Sequence, residues 1–432
     1  LEDELVENNE ETPSKSLRRA IKLRNAVALY ASSVLGSGIL ILPGLAAKIA
    51  GPASLIAWVF LSLASYPFAY TFATLSARRP ESGGVYSFAR EGFGFRIATV
   101  TGWLFMLWEV TGAPAVTLIA ASYLAYAFPL SRAETFIIAS TVICLAFLVN
   151  YRGIVLSNRV QLAVIGSIVA LLGATIIGSL LFVRASNFSP FFPDGLLPVG
   201  TAASLIFWSY LGYENVSNVA EEFENPKRDF HRSIILSAAI IGLLYIMVAF
   251  VTIGTLAYNS GGSDAPFAAI LSHILGPYGA AGTAILAVFI IFGTVNAYTT
   301  GMSRVFYAVA RDGGFPKALA HINTKTKVPD LALIGPFACI VPVLLVFYFF
   351  NIDLETALLI PSGAAILIYV VGCATGIRIL GREKAWSRDR LFPWISLIIS
   401  LVVLPFVGPL LGVSLAVAAA ALIYCSITRR SR

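Results

Sequence analysis

Apolar runs of spanning length alternate with short polar links along nearly the whole chain. A helix rises 1.5 Å per residue, so about 20 apolar residues cross the hydrocarbon core of a bilayer. Twelve runs reach that length, at 25–48, 53–76, 97–128, 133–151, 155–183, 199–223, 232–258, 279–310, 330–350, 355–379, 390–408 and 410–427. The pattern predicts an all-α polytopic membrane protein with twelve transmembrane helices. Two shorter stretches read as surface helices. Residues 80–94 predict an interfacial helix that begins at the Gly83-Gly84 turn. Residues 264–276 predict a short outer helix with Phe267, Ile270, Leu271 and Ile274 on one face.

Composition agrees with a lipid solvent. Of 432 residues, 58% are hydrophobic and 12% charged, against about 25% charged in soluble domains. Basic residues then orient the bundle. With the N-terminus placed in the cytoplasm and the sides alternating, all of the 30 Lys and Arg except Lys48, Arg132 and Arg184 fall on the cytoplasmic side. The expected protein is integral to the cell or inner membrane with both termini inside, residues 1–24 and 428–432 forming cytoplasmic tails. The start of the chain lacks the basic-then-apolar layout of a signal peptide. The net charge of +7 is read as orientation charge, not as a nucleic-acid footprint. Cys144, Cys339, Cys373 and Cys425 lie inside apolar runs and read as small packing residues. His231, His273 and His321 lie far apart in sequence, and no metal cluster or nucleophile–base pair is visible. No cofactor and no enzyme activity are expected.

Two runs are interrupted by glycine at mid-depth. The first contains Gly36-Ser37-Gly38-Ile39 and the sixth contains Trp208-Ser209-Tyr210-Leu211-Gly212-Tyr213-Glu214. They stand five helices apart, so two halves, 25–183 and 199–379, would cross the membrane in opposite senses, leaving 390–427 outside the repeat. Paired broken helices in two halves point to a transporter and to its binding site. An unwound turn at Gly36–Gly38 would bare amides able to hold a carboxylate; the alternative is close helix packing through small residues. Around Gly212, the rings of Phe207, Trp208, Tyr210 and Tyr213 are candidates for sealing a substrate, with ordinary packing as the other reading. Glu109 lies within the third run, where a carboxyl costs roughly 3 kcal/mol. It reads as a proton carrier or ammonium partner, or else as a protonated acid bonded to a hydroxyl. Glu214 reads as a gating charge or as an acceptor for the broken segment.

These residues resemble the amino acid–polyamine–organocation family. The likeness spans residues 22–427 and is carried by Gly36-Ser37-Gly38-Ile39 with Leu42-Pro43, by Pro80 with Gly83-Gly84-Val85-Tyr86, and by Asn150, Gly153 and Gln161. Trp208–Glu214 followed by Glu224-Asn225-Pro226 carries it further, as does Asn296 with Ser303-Arg304 and Arg311-Asp312-Gly313. Within the family, the chain looks most like bacterial exporters of methionine and branched-chain amino acids. The resemblance implies a five-plus-five inverted repeat working by alternating access. It implies substrate carboxylate on Gly36–Ile39, Trp208 as a mid-helix aromatic gate, and Ala113, Val116 and Tyr298 on the pocket wall. Many members carry a lysine in the fifth helix where this chain has Ile168. Glu109 is one substitute as the titratable group; sodium held by Thr299 and Thr300 is another.

The expected function is secondary transport of neutral aliphatic amino acids, branched-chain or methionine-like, as proton-linked symport, antiport or exchange. The apolar Ile39, Ala113, Val116 and Leu211 suit an aliphatic side chain. One alternative keeps the fold and carries cationic amino acids or polyamines, met by Glu109 and Glu214. Another is a membrane sensor that moves nothing.

Overall fold

The computed structural model describes residues 23, 27, 34–78, 83–153, 158–213, 226–259, 261–326, 328–381 and 388–430. They form α1 (Gly38–Ala50), α2 (Ser54–Arg78), α3 (Val85–Phe93), α4 (Phe95–Ala127), α5 (Arg132–Tyr151), α6 (Asn158–Ser179) and α7 (Leu197–Ile206). Then follow α8 (Pro226–Gly254), α9 (Pro266–Leu275), α10 (Pro277–Arg311), α11 (Asp330–Phe349), α12 (Leu354–Leu380), α13 (Arg388–Val403) and α14 (Leu411–Arg430). Local chemistry sets several ends. Ser131 and Glu134 close a reciprocal capping box at the start of α5, and the Asp353 carboxylate accepts from the Thr356 amide to cap α12. The short helix α3 sits between Gly84 (φ 51°) and Gly94 (φ 83°), left-handed positions that glycine takes without strain.

Among the described residues, nine helical segments are long and apolar enough to cross a membrane. Two of them, Gly38–Ser76 and Arg388–Thr428, measure 39 and 41 residues. Each contains a left-handed glycine, Gly51 (φ 57°) and Gly408 (φ 68°) respectively, that divides it into two helices. Several predicted runs stop early for backbone reasons. The fifth run passes from regular helix into a 3-10 turn at Leu180–Phe182. The seventh ends at Gly254, because Leu256 turns left-handed (φ 55°). The eleventh tightens at Leu404–Leu410. The predicted surface helices are α3 and α9, with Phe267, Ile270 and Leu271 of α9 buried.

The bundle has two chemically distinct ends. At one, Tyr86 and Arg90 of α3 both bond Asp312, and the Trp103 indole donates to the Gly314 carbonyl at 3.0 Å. Tyr70 of α2 donates to Asp389 of α13 at 2.5 Å. The starts of α4, α11 and α13 and the ends of α5, α10, α12 and α14 meet there, and so do most of the described basic side chains. At the other end lie Lys48, Arg132 and Arg184; Arg132 donates to the carbonyls of Phe347 and Tyr348 at 3.1 and 3.2 Å. The central axis is α4, whose spanning window is 83% buried against 22% for Arg388–Thr428 at the periphery. The outer surface carries exposed apolar side chains such as Leu63, Ile177, Leu181, Ile285 and Phe349, as a lipid-facing surface requires. Cys373 and Cys425 are buried packing residues as expected, whereas Cys144 and Cys339 belong to the exposed faces of α5 and α11.

Candidate functional site

Both glycine-marked runs are broken where the sequence places the interruption. Leu35 and Gly36 bend, Ser37 turns, and α1 starts at Gly38. The Leu40 amide donates back to the Ser37 carbonyl at 3.2 Å. In the sixth run, α7 stops at Ile206 and tightens into a 3-10 turn over Phe207–Tyr210. Leu211 is then extended (φ −77°, ψ 152°) and Gly212 reaches φ 117°. Each interruption releases backbone groups that an intact helix would pair, and at this depth they must find partners within the protein.

Side chains from neighbouring helices supply some of those partners. The Tyr245 hydroxyl of α8 lies 3.1 Å from the Val34 carbonyl and 3.1 Å from the Ser209 carbonyl, so it ties the two breaks together. The Tyr123 hydroxyl of α4 donates to the Leu40 carbonyl at 2.5 Å. Contact between the broken segments is close. A Cβ on Gly38 would stand 2.8 Å from Ser209 Oγ and 2.9 Å from Trp208 Cδ1. Only glycine leaves that gap open.

Beside the breaks, among α4, α10 and the two interruptions, lies a partly open hollow. Of the predicted site residues, Ser37, Glu109, Ala113, Val116, Trp208 and Tyr298 line it; Trp108, Gly112, Thr294 and Val295 complete the wall. The Trp208 ring meets Trp108 edge-on, with centroids 5.8 Å apart at 90°. It lies over Gly112, where a Cβ would come within 2.9 Å of Trp208 Cη2. The wall is apolar apart from Ser37, Thr294, the Tyr298 phenol and Glu109. Glu109 is 7% exposed, and its Oε1 accepts from the Thr299 hydroxyl at 3.2 Å.

The remaining predicted residues sit around this hollow instead of on it. Gly36 packs near Thr294, and Ile39 and Leu211 are buried behind the breaks. Phe207 packs against Phe68 and Tyr369, with centroids 5.5 and 5.3 Å away. Tyr210 faces α2, where its hydroxyl meets Ser62 Oγ at 2.6 Å. The Thr299 and Thr300 hydroxyls diverge, the first to Glu109 and the second to Asn150 Oδ1 and the Asn296 carbonyl. Consecutive helical residues point about 100° apart, which is why the pair does not converge. Glu214 lies outside the described residues. The sequence reading missed Tyr245 and Trp108. Trp108 carried one signal, an indole beside Glu109, whereas Tyr245 carried none beyond being a tyrosine in the apolar run 232–258.

A family model described as amino acid permease matches residues 21–427. The chain belongs to the amino acid permease family. It is therefore a transmembrane amino acid transporter, not an enzyme. It is 36% identical over 367 residues to the uncharacterized amino acid permease YecA of Bacillus subtilis, covering 85% of this chain and 87% of that one. It is 29% identical over 399 residues to the L-methionine/branched-chain amino acid exporter YjeH of Escherichia coli, covering 91% and 92%. It is also 29% identical over 350 residues to the branched-chain amino acid permease BcaP of Bacillus subtilis, covering 74% and 72%. The membership accounts for the polytopic helical architecture and for a small-molecule substrate.

Proposed function

We propose that this permease is a secondary active transporter of neutral aliphatic amino acids, branched-chain or methionine-like, working by alternating access. The observation that carries the reading is the hollow itself. Ser37 at the first break and Trp208 at the second line it together with the apolar Ala113 and Val116 of α4 and Val295 of α10. The amides that start α1 suit a carboxylate, and the apolar wall suits a branched or thioether side chain. Two relatives named for branched-chain or methionine substrates favour the same cargo.

In the proposed topology, twelve spans run from both termini in the cytoplasm. Residues 25–183 and 199–379 form inverted halves, and 390–427 adds two helices. The basic end of the bundle supports that orientation. Trp208 acts as a gate over Gly112, and Glu109 carries the coupling proton. A second reading, transport of cationic amino acids or polyamines, is favoured by one observation: the Glu109 carboxyl faces the same hollow. Proteoliposomes given labelled leucine, methionine, arginine or putrescine, with pH and sodium gradients imposed separately, test these readings. Leucine and methionine uptake driven by the pH gradient is expected. Flux of the cations alone would replace the cargo, sodium-driven flux would replace the proton, and no flux of any of them would remove the proposal.

A further inference from the structure

We propose that Glu109 exchanges its proton with the basic end of the bundle through a second hollow, walled by α4, α5, α10 and α11, that the amino acid does not use. The inference rests on the proton-linked reading of Glu109. The second hollow shares Glu109, Ala113 and Val295 with the first. Its other walls include Phe147 of α5, Ser303 and Phe306 of α10, and Ala332 and Leu333 of α11. None of its lining comes from the two broken helices. The substrate hollow and this one meet at a carboxyl and then part.

Helix direction shows where the second hollow leads. Along α4, Gly112, Ala113 and Val116 lie progressively farther than Glu109 from the basic end. Along α10, Thr294 and Tyr298 line the first hollow, while Ser303 and Phe306, closer to the basic end, line the second. On α11 the lining starts two residues after Asp330, the first residue of that helix. The first hollow thus extends from Glu109 away from the basic end, while the second, besides Ala113, Val295 and Ile340 at the depth of the first, reaches from Glu109 toward that end.

The polar atoms of the second hollow form a short ladder. Thr299 donates to Glu109. Ser303 lies one turn further along α10, about 6 Å by helical rise. Its hydroxyl donates to the Thr300 carbonyl at 2.8 Å, which leaves the oxygen's lone pairs able to accept. The rest of the wall is apolar, so water entering there must bond these oxygens. In the proposed step the Glu109 O–H bond breaks and the proton passes to water held between Thr299 and Ser303. The carboxylate is then reprotonated from the substrate hollow. Nearby charged or titratable groups are few among the described residues. On α10 they are the Tyr298 phenol and Arg304, whose guanidinium donates to the Thr300 carbonyl. On α11 there is Asp330, 2.7 Å from His321 Nδ1. On α4 and α5 they are Arg96, Arg152 and Tyr151, whose ring stacks on Phe147, at the basic end.

Reconstituted protein with a pH-sensitive dye inside the vesicles separates this route from substrate handling. Two assays are read, leucine-driven proton movement and leucine homoexchange, which needs no net proton release. Ala332→Phe, which fills the second hollow, is expected to slow proton movement about tenfold or more while homoexchange stays within about twofold. Ser303→Ala removes a rung without adding volume and is expected to slow proton movement about threefold, so it carries the test if the larger variant misfolds. Parallel loss of both assays, or proton movement untouched by either variant while Glu109→Gln abolishes it, overturns the route. Proton movement that survives Glu109→Gln overturns the proton-linked reading itself, and the route with it.

Discussion

The Tyr245 hydroxyl stands 3.1 Å from both the Val34 and the Ser209 carbonyls, one on each side of the paired breaks. In unbroken helices these carbonyls would accept from the amides of Gly38 and Tyr213, four residues on. The phenol also packs edge-on against Trp58 and Tyr210, with centroids 5.6 and 5.2 Å away. Tyr245→Phe keeps the ring and removes the link. A buried acceptor left without a donor costs about 1–3 kcal/mol. The expected result is a lower thermal midpoint together with weaker leucine binding. A lower midpoint with unchanged binding would confine Tyr245 to stability.

Gly38 sets the gap between the two broken segments. A Cβ there would stand 2.8 Å from Ser209 Oγ and 2.9 Å from Trp208 Cδ1, with Ser209 Cα at 3.2 Å. Gly38→Ala must therefore displace Trp208, and Gly38→Ile must displace more. The expected outcome is folded, detergent-stable protein whose leucine affinity falls about tenfold for alanine, roughly 1.4 kcal/mol, and further for isoleucine. Unchanged affinity in both variants would remove the carboxylate site from this turn.

Trp208, the proposed gate, lies edge-on to Trp108 and pressed over Gly112. Trp208→Ala is expected to slow flux about tenfold or more while changing equilibrium affinity about threefold or less. Purified protein in a binding assay and vesicles in a flux assay give the two numbers. The reverse ordering would make Trp208 a binding surface instead of a gate.

Glu109 receives a hydrogen bond from Thr299. Glu109→Gln keeps a side chain able to accept that bond but carries no exchangeable acid proton. Leucine uptake by this variant is expected to lose its dependence on an imposed pH gradient, with leucine exchange retained. A pH profile identical to that of the unmodified protein would make Glu109 a structural residue.

The helical architecture was legible because lipid imposes one simple rule on length and apolarity. Runs such as 97–128 and 330–350 returned as α4 and α11 within two residues at each end. The breaks were legible from glycine, because Gly212 adopts a backbone angle that other residues rarely take. Sequence spacing could not reveal which face each side chain presents. Phe207 and Tyr210 flank Trp208 closely, but the first turns to Phe68 and Tyr369 and the second to α2, leaving Trp208 on the hollow. Tyr245 was invisible for a different reason. Its role depends on α8 crossing two breaks remote from it in sequence, and a tyrosine in an apolar run gives no sign of its partners. The divergence of Thr299 and Thr300 follows from helical geometry, which a paired-hydroxyl motif ignores.

The central claim is that the hollow between the two breaks holds a zwitterion with an aliphatic side chain. Competition binding to the purified protein, with labelled leucine displaced by unlabelled leucine, methionine, arginine or putrescine, tests it most directly. Displacement by leucine and methionine, and not by arginine or putrescine, is the predicted result. Failure of leucine to bind, with arginine or putrescine bound in its place, would contradict it.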